Sequence, residues 1–133
     1  MATYTPHYQL HQWASTDDFL RTDFNEDLEK IDTALGGKPE IVTGAYSGNG
    51  NETQDIALGF QPLALIVISQ SGMTNTTYHC YGGLALPGTP CYFNNLNAIE
   101  LISNGFRVRY RDFNGTSVST NKSNTLYFYL AFR

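Results

Sequence analysis

The sequence predicts a mainly β protein, an antiparallel β-sandwich of about seven or eight strands preceded by a short N-terminal arm and helix. Three observations carry this expectation. From residue 40 onward, short apolar runs of strand length recur between turns rich in glycine, asparagine and proline. Aromatic residues reach 14%, with nine Tyr and eight Phe against one Trp, which suits sheets and binding surfaces better than a helical bundle. Helical periodicity is confined to one segment near the N-terminus.

The first stretch, from Tyr4 to Trp13, sets Tyr4, Pro6, Tyr8 and Leu10 against smaller or polar residues. Its period is strand-like, but a proline inside it argues for an extended arm packed on a neighbour. The helix follows. Asp23 is placed to cap it with Glu26 three residues on, and acids crowd the first turns, where the helix dipole favours them. Phe24, Leu28, Ile31 and Leu35 form one apolar stripe, and Gly36-Gly37 supplies the stop. A stripe on so short a helix has to be buried against something. It can pack on the β-domain of its own chain or on copies of itself. The joint Gly36-Gly37-Lys38-Pro39 favours the second and divides the chain into residues 1–37 and 38–133.

Residues 41–46 and 53–58 read as two strands around the turn Ser47-Gly48-Asn49-Gly50. The unbroken apolar run 63–68 fits a strand covered on both faces. Residues 78–86 form another, interrupted by Gly82-Gly83. If Asn104-Gly105 makes a two-residue type I′ turn, Leu101 lies opposite Val108 and Glu100 opposite Arg109. One hairpin face then carries Ile99, Leu101, Phe106, Val108 and Tyr110, and the other carries Arg107, Arg109 and Arg111. In the last strand, 126–133, the Leu/Phe face is expected to meet the core. Tyr127 and Tyr129 are left for a second layer, a subunit interface or solvent.

With 41% hydrophobic and 15% charged residues the chain is expected to fold, not to be disordered. The net charge of −4 is unevenly placed: residues 1–36 are acidic and the remainder close to neutral. No basic face supports nucleic-acid binding. No apolar run approaches the ~20 residues that span a bilayer, and no secretion leader is visible at the N-terminus. Cys80 and Cys91 are therefore expected as free, buried thiols, and the four Asn-x-Ser/Thr sequons as polar loops.

Residues 13–32, from Trp13-Ala14-Ser15-Thr16-Asp17-Asp18-Phe19-Leu20 to Ile31-Asp32, resemble the N-terminal signature of tail and baseplate appendage proteins in phages and prophages of Gram-positive bacteria. The second half resembles a β-domain of the same proteins. Its marks are Thr43-Gly44-Ala45-Tyr46-Ser47-Gly48-Asn49-Gly50, Leu58-Gly59-Phe60-Gln61-Pro62-Leu63-Ala64, Asn104-Gly105-Phe106 and Tyr129-Leu130-Ala131-Phe132-Arg133. The resemblance implies a tail-fibre or receptor-binding type of virion protein, typically a homotrimer. Its N-terminal part would face other tail proteins and its β-domain a glycan of the host surface.

Chemistry-bearing constellations are sparse. Glu52 and Asp55 flank a turn and could form a glycosidase-like pair, but solvated turn carboxylates are the simpler reading. His79 and Cys80 are adjacent and point to opposite faces of a strand. His7 and His11 lack the helix that would align them for a metal. No catalytic residue, metal or cofactor is expected. Tyr78, Tyr81, Tyr92, Asn94 and Asn95 lie near loops rich in Asn, Thr and Gly. Aromatic faces beside amides and hydroxyls suit sugar rings, and these five are the candidate ligand-binding residues. The arginine stripe suits an anionic wall polymer, although an ordinary solvated or interface-facing strand is preferred.

Overall fold

The computed structural model describes residues 2–133, and the chain divides after Pro39 into two compact units. In the first, β1 (Thr3–Tyr4) and β2 (His11–Gln12) pair antiparallel and α1 spans Arg21–Gly36. The arm is thus folded back as a small hairpin, closed by the Thr5 and Gln9 amides donating to Leu10 and Thr5 carbonyls at 2.9 and 3.1 Å. The helix starts earlier than the acid pattern suggests. Leu20 is its N-cap and offers no side-chain bond, while Asp23 lies inside the first turn. Gly37 ends it at φ −83°, so the stop does not use glycine's left-handed freedom.

The second unit is entirely β. One sheet has the order β3 (Ile41–Ser47), β12 (Leu126–Phe132), β5 (Ala64–Ser69) and β7 (Gly83–Ala85). The other runs β6 (His79–Cys80), β11 (Ser117–Ser119), β10 (Gly105–Asp112), β9 (Leu96–Ile102) and β8 (Cys91–Phe93), with β4 (Thr53–Ala57) also paired to β10. This five-strand path curls until it is nearly closed. Its β6–β11 pair is parallel, a departure from the all-antiparallel expectation. The fold is mainly β, with its one helix near the N-terminus, as the turn and strand pattern predicts.

Both sheets contribute to one core. Tyr46, Leu65, Val67, Ala85, Tyr127 and Ala131 come from the first sheet, and Ile99, Phe106 and Val108 from the second. Tyr46 stacks on Tyr127 with ring centroids 5.0 Å apart and meets the edge of Phe106 at 5.8 Å. The face assignment of β12 is therefore reversed. Tyr127 and Ala131 are buried in the core, whereas Phe128 is 41% exposed. Every residue of β12 is apolar or aromatic, so alternation carried no instruction about which face turns inward. The run 63–68 is likewise covered on one face only: Leu65 and Val67 are buried and Ile66 is exposed.

The hairpin register also differs. Gly105 pairs with Ile102, Leu101 with Phe106, and Arg107 with Glu100, so Ser103-Asn104 is the turn. Gly105 is needed inside β10, at φ 154°, because a Cβ there would overlap the Ile56 carbonyl of β4. A slip of two residues preserves side-chain parity. The predicted apolar face therefore survives, with Ile99, Phe106 and Val108 fully buried.

Strand β11 and the two residues after it, 117–121, form a mostly polar segment in which every residue is buried. Its backbone groups need internal partners. The Tyr46 hydroxyl donates to the Thr120 carbonyl at 2.7 Å, and the Tyr127 hydroxyl donates to the Ser119 carbonyl. The Thr120 hydroxyl donates to the Ala98 carbonyl at 2.7 Å and accepts from the Arg109 amide at 2.9 Å. Asn121 accepts from the Asn49 amide and donates to the Asn49 side chain and the Asn51 carbonyl, at 2.8–3.0 Å. Replacing Tyr46→Phe keeps the ring stack and leaves the Thr120 carbonyl without this donor. We expect a loss of about 1–2 kcal/mol, read as a lowered urea midpoint with an unchanged slope.

Candidate functional site

In the N-terminal unit, the arm is locked to its helix by one carboxylate. Asp27, only 6% exposed, accepts the His11 amide at 2.8 Å and the His11 Nδ1 at 2.9 Å. Lys30 donates to the Gln9 carbonyl at 2.9 Å and pairs with Glu26 at 2.8 Å. A run of rings follows the same seam: Tyr4, His11, Trp13, Phe19 and Phe24, with successive centroids 4.8–5.7 Å apart. His11 is thus a positioning group, and it does not align with His7. The stripe proposed for self-association, Phe24, Leu28, Ile31 and Leu35, is exposed along its whole length.

The five candidate ligand residues do not converge on one cavity. Tyr78 and Tyr92 are exposed, at 59% and 64%. Tyr78 precedes β6, and its carbonyl accepts the Ser117 amide at 2.9 Å. Next to that contact, the Asn94 amide donates to the Thr116 hydroxyl at 2.8 Å. Asn94 and Asn95 form the β8–β9 turn in left-handed conformations, φ 49° and 57°, which asparagine tolerates. Tyr78, Asn94 and Thr116 therefore lie at one end of the curled sheet. Tyr81 is separate: it packs on His79, with centroids 5.9 Å apart, and lines a pocket of about 350 Å³ with Ser69, Gln70, Ser71 and Thr125. Thr116 and Thr125 were missed because each is more than thirty residues from Tyr78 and Tyr81 in sequence and reaches them only through the fold.

The charged face of the second sheet is internally paired. Arg107 grips Asp55 through Nε and Nη2 at 2.6 and 2.8 Å, which holds that carboxyl below its usual range. Arg109 meets Glu100 at 2.9 Å, diagonally across the strands and not directly opposite as expected. Arg111 and Glu52 approach at 3.9 Å. Asp55 is thus the ionised half of an ion pair, poorly suited to protonate a leaving group.

Two further clusters are built by the fold. The His79 Nδ1 lies 2.9 Å from the Ser117 hydroxyl, a contact made because the two residues are register partners of β6 and β11. Ser117 in turn shares a 2.6 Å bond with Ser119, and among the described residues no carboxylate bonds to the imidazole as the orienting group of a nucleophile's base would. Nearby, the thiols of Cys80 and Cys91 both donate to the Gly82 carbonyl, at 3.4 and 3.7 Å. These residues sit on β6 and β8, the two ends of the curled path, so the thiols meet where it nearly closes. Hydrogen bonding from Cys80 favours the Cys91 thiolate and pulls that group below the ordinary cysteine value, whereas the same contact and burial push Cys80 up.

No protein-family model, curated protein or solved structure matches this chain.

Two outcomes follow from these sites. Burial opposes ionisation of Asp27, but its His11 hydrogen bonds and the Lys30 charge outweigh that and lower its pKa. A depressed carboxyl stabilises the folded unit above its ordinary value of 3.8 and loses that contribution as pH falls through the lower folded value. The His11 amide proton resonance should therefore move with a midpoint below 3.8, and in Asp27→Asn it should lose this titration. For the thiols, iodoacetamide should label Cys91 before Cys80, at a pH below the usual thiol value of 9.0; Cys80→Ala should shift labelling of Cys91 to higher pH, as followed by peptide mass spectrometry.

Proposed function

We propose that this chain is a non-enzymatic virion component, a phage tail appendage that assembles as a homotrimer and whose β-domain recognises a host-surface glycan. The observation that carries it is the pair of exposed rings, Tyr78 just before β6 and Tyr92 on β8, on the curled sheet whose loops also hold the Asn94–Thr116 amide–hydroxyl bond. An apolar ring face next to fixed polar groups matches the two-sided character of a pyranose. The paired arginines leave a glycan better suited than a polyanion. Resemblance of residues 13–32 to tail and baseplate appendages supports the virion setting, with the N-terminal unit docking other tail proteins. The finer architecture belongs to the same reading: two β layers sharing one core, as in a sandwich, with three copies about an axis. Weak sites repeated on one particle then sum to useful avidity.

A second reading, a structural adaptor without ligand, is favoured by one observation: the exposed stripe of α1 offers a docking face and needs no glycan. Binding of the full chain to purified cell walls of candidate Gram-positive hosts separates the two. The receptor reading expects saturable binding that weakens at least ten-fold in Tyr78→Ala/Tyr92→Ala, with an unchanged melting temperature. Binding to no wall preparation, or binding indifferent to both rings, leaves the adaptor.

A further inference from the structure

An antiparallel sheet with one face in water normally alternates apolar and polar residues. The β3–β12–β5–β7 sheet does not. Facing away from the core, Phe128 lies between Ala45 and Ile68. Leu130 lies between Thr43 and Ile66, with Leu84 beyond, and Phe132 lies between Ile41 and Ala64. No position in these three rows is charged. Ile41, Ile66 and Leu84 are 59%, 39% and 54% exposed. A depression of about 600 Å³ lies along this face, with the low strip Thr43-Gly44-Ala45 on one side and the taller Ile66, Ile68 and Phe128 beside it.

Size and shape indicate what covers it. With Ile41, Ile66, Leu84 and Phe128 each between 39% and 59% exposed, these rows make one contiguous apolar patch, the kind of surface that marks an interaction site. A hetero-partner would be selected by charges or hydrogen-bonding groups, and these rows supply almost none. Ridge and trough lie side by side on the same face, so the ridge of one copy can seat in the trough of the next. Repeated contacts of that kind close into a ring where the rotation between copies closes, and extend as a filament where it does not.

We infer that the outer face of this sheet is the contact between β-domains of neighbouring copies, the Ile66–Phe128 ridge of one chain seated on the Thr43–Ala45 strip of another. The inference rests on the homo-oligomer reading above and locates its β-domain contact, leaving α1 as a second contact. The test uses the full chain and light scattering across a dilution series. Phe128→Asp should raise the concentration at which the oligomer dissociates at least ten-fold, while Tyr92→Asp, off this face, should not. An oligomer indifferent to Phe128→Asp but dissociated by Leu28→Asp overturns the sheet contact and leaves the oligomer reading standing. A monomer at every concentration overturns both. Should Phe128→Asp fail to fold, a Thr43→Cys chain with Cys80→Ser and Cys91→Ser is treated with a short bis-maleimide. Covalent dimers on a denaturing gel support the contact, and single chains overturn it.

Discussion

The β-domain depends on having a polar strand segment in its middle. Residues 117–121 are buried, and their peptide groups would be costly there without partners. The partners come from both sides. Tyr46 and Tyr127 reach from one sheet to the Thr120 and Ser119 carbonyls, while the Thr120 hydroxyl ties the segment to β9 and β10 of the other. Each tyrosine thus fills core volume with its ring and satisfies a carbonyl with its tip. A phenylalanine serves only the first purpose, which favours Tyr127 at the inward position of β12.

That reversal marks the boundary of what was legible in the sequence. Helix, strand and turn positions follow from periodicity and from Gly, Asn and Pro punctuation, and the apolar face of the β9–β10 hairpin was correct although its register was not. Parity protected the face; the close approach of β4 over Gly105, a contact between residues about fifty apart in sequence, set the register. Strands β8 and β11 went unseen because each has three residues and exists only through its neighbours. The candidate site was legible in part. The exposed Tyr78 and Tyr92 carry an aromatic signal, whereas Thr116 and the Cys80–Cys91 pair become neighbours only when the sheet curls.

Electrostatics divide along the same lines as the two units. In the first, an acidic helix uses Asp27 and Glu26 to hold the arm and Lys30, so part of its negative charge is structural. In the second, each arginine of the hairpin has a carboxylate within 3.9 Å. Surface pairs of this kind contribute little to stability. Their larger effect is to leave the β-domain without a strong field, so that recognition by it rests on shape and stacking.

The position of β12 has a consequence for how the domain is made. Its seven residues form one of the two interior strands of their sheet, hydrogen-bonded to β3 on one side and β5 on the other. Strands β3 and β5 begin 85 and 62 residues before β12, and neither can complete its ladder until β12 leaves the ribosome. Such long-range pairing slows folding and leaves apolar edges waiting. Until it arrives, the β12-facing edges of β3 and β5 stay open, and a chain cut before residue 126 has no strand to join them.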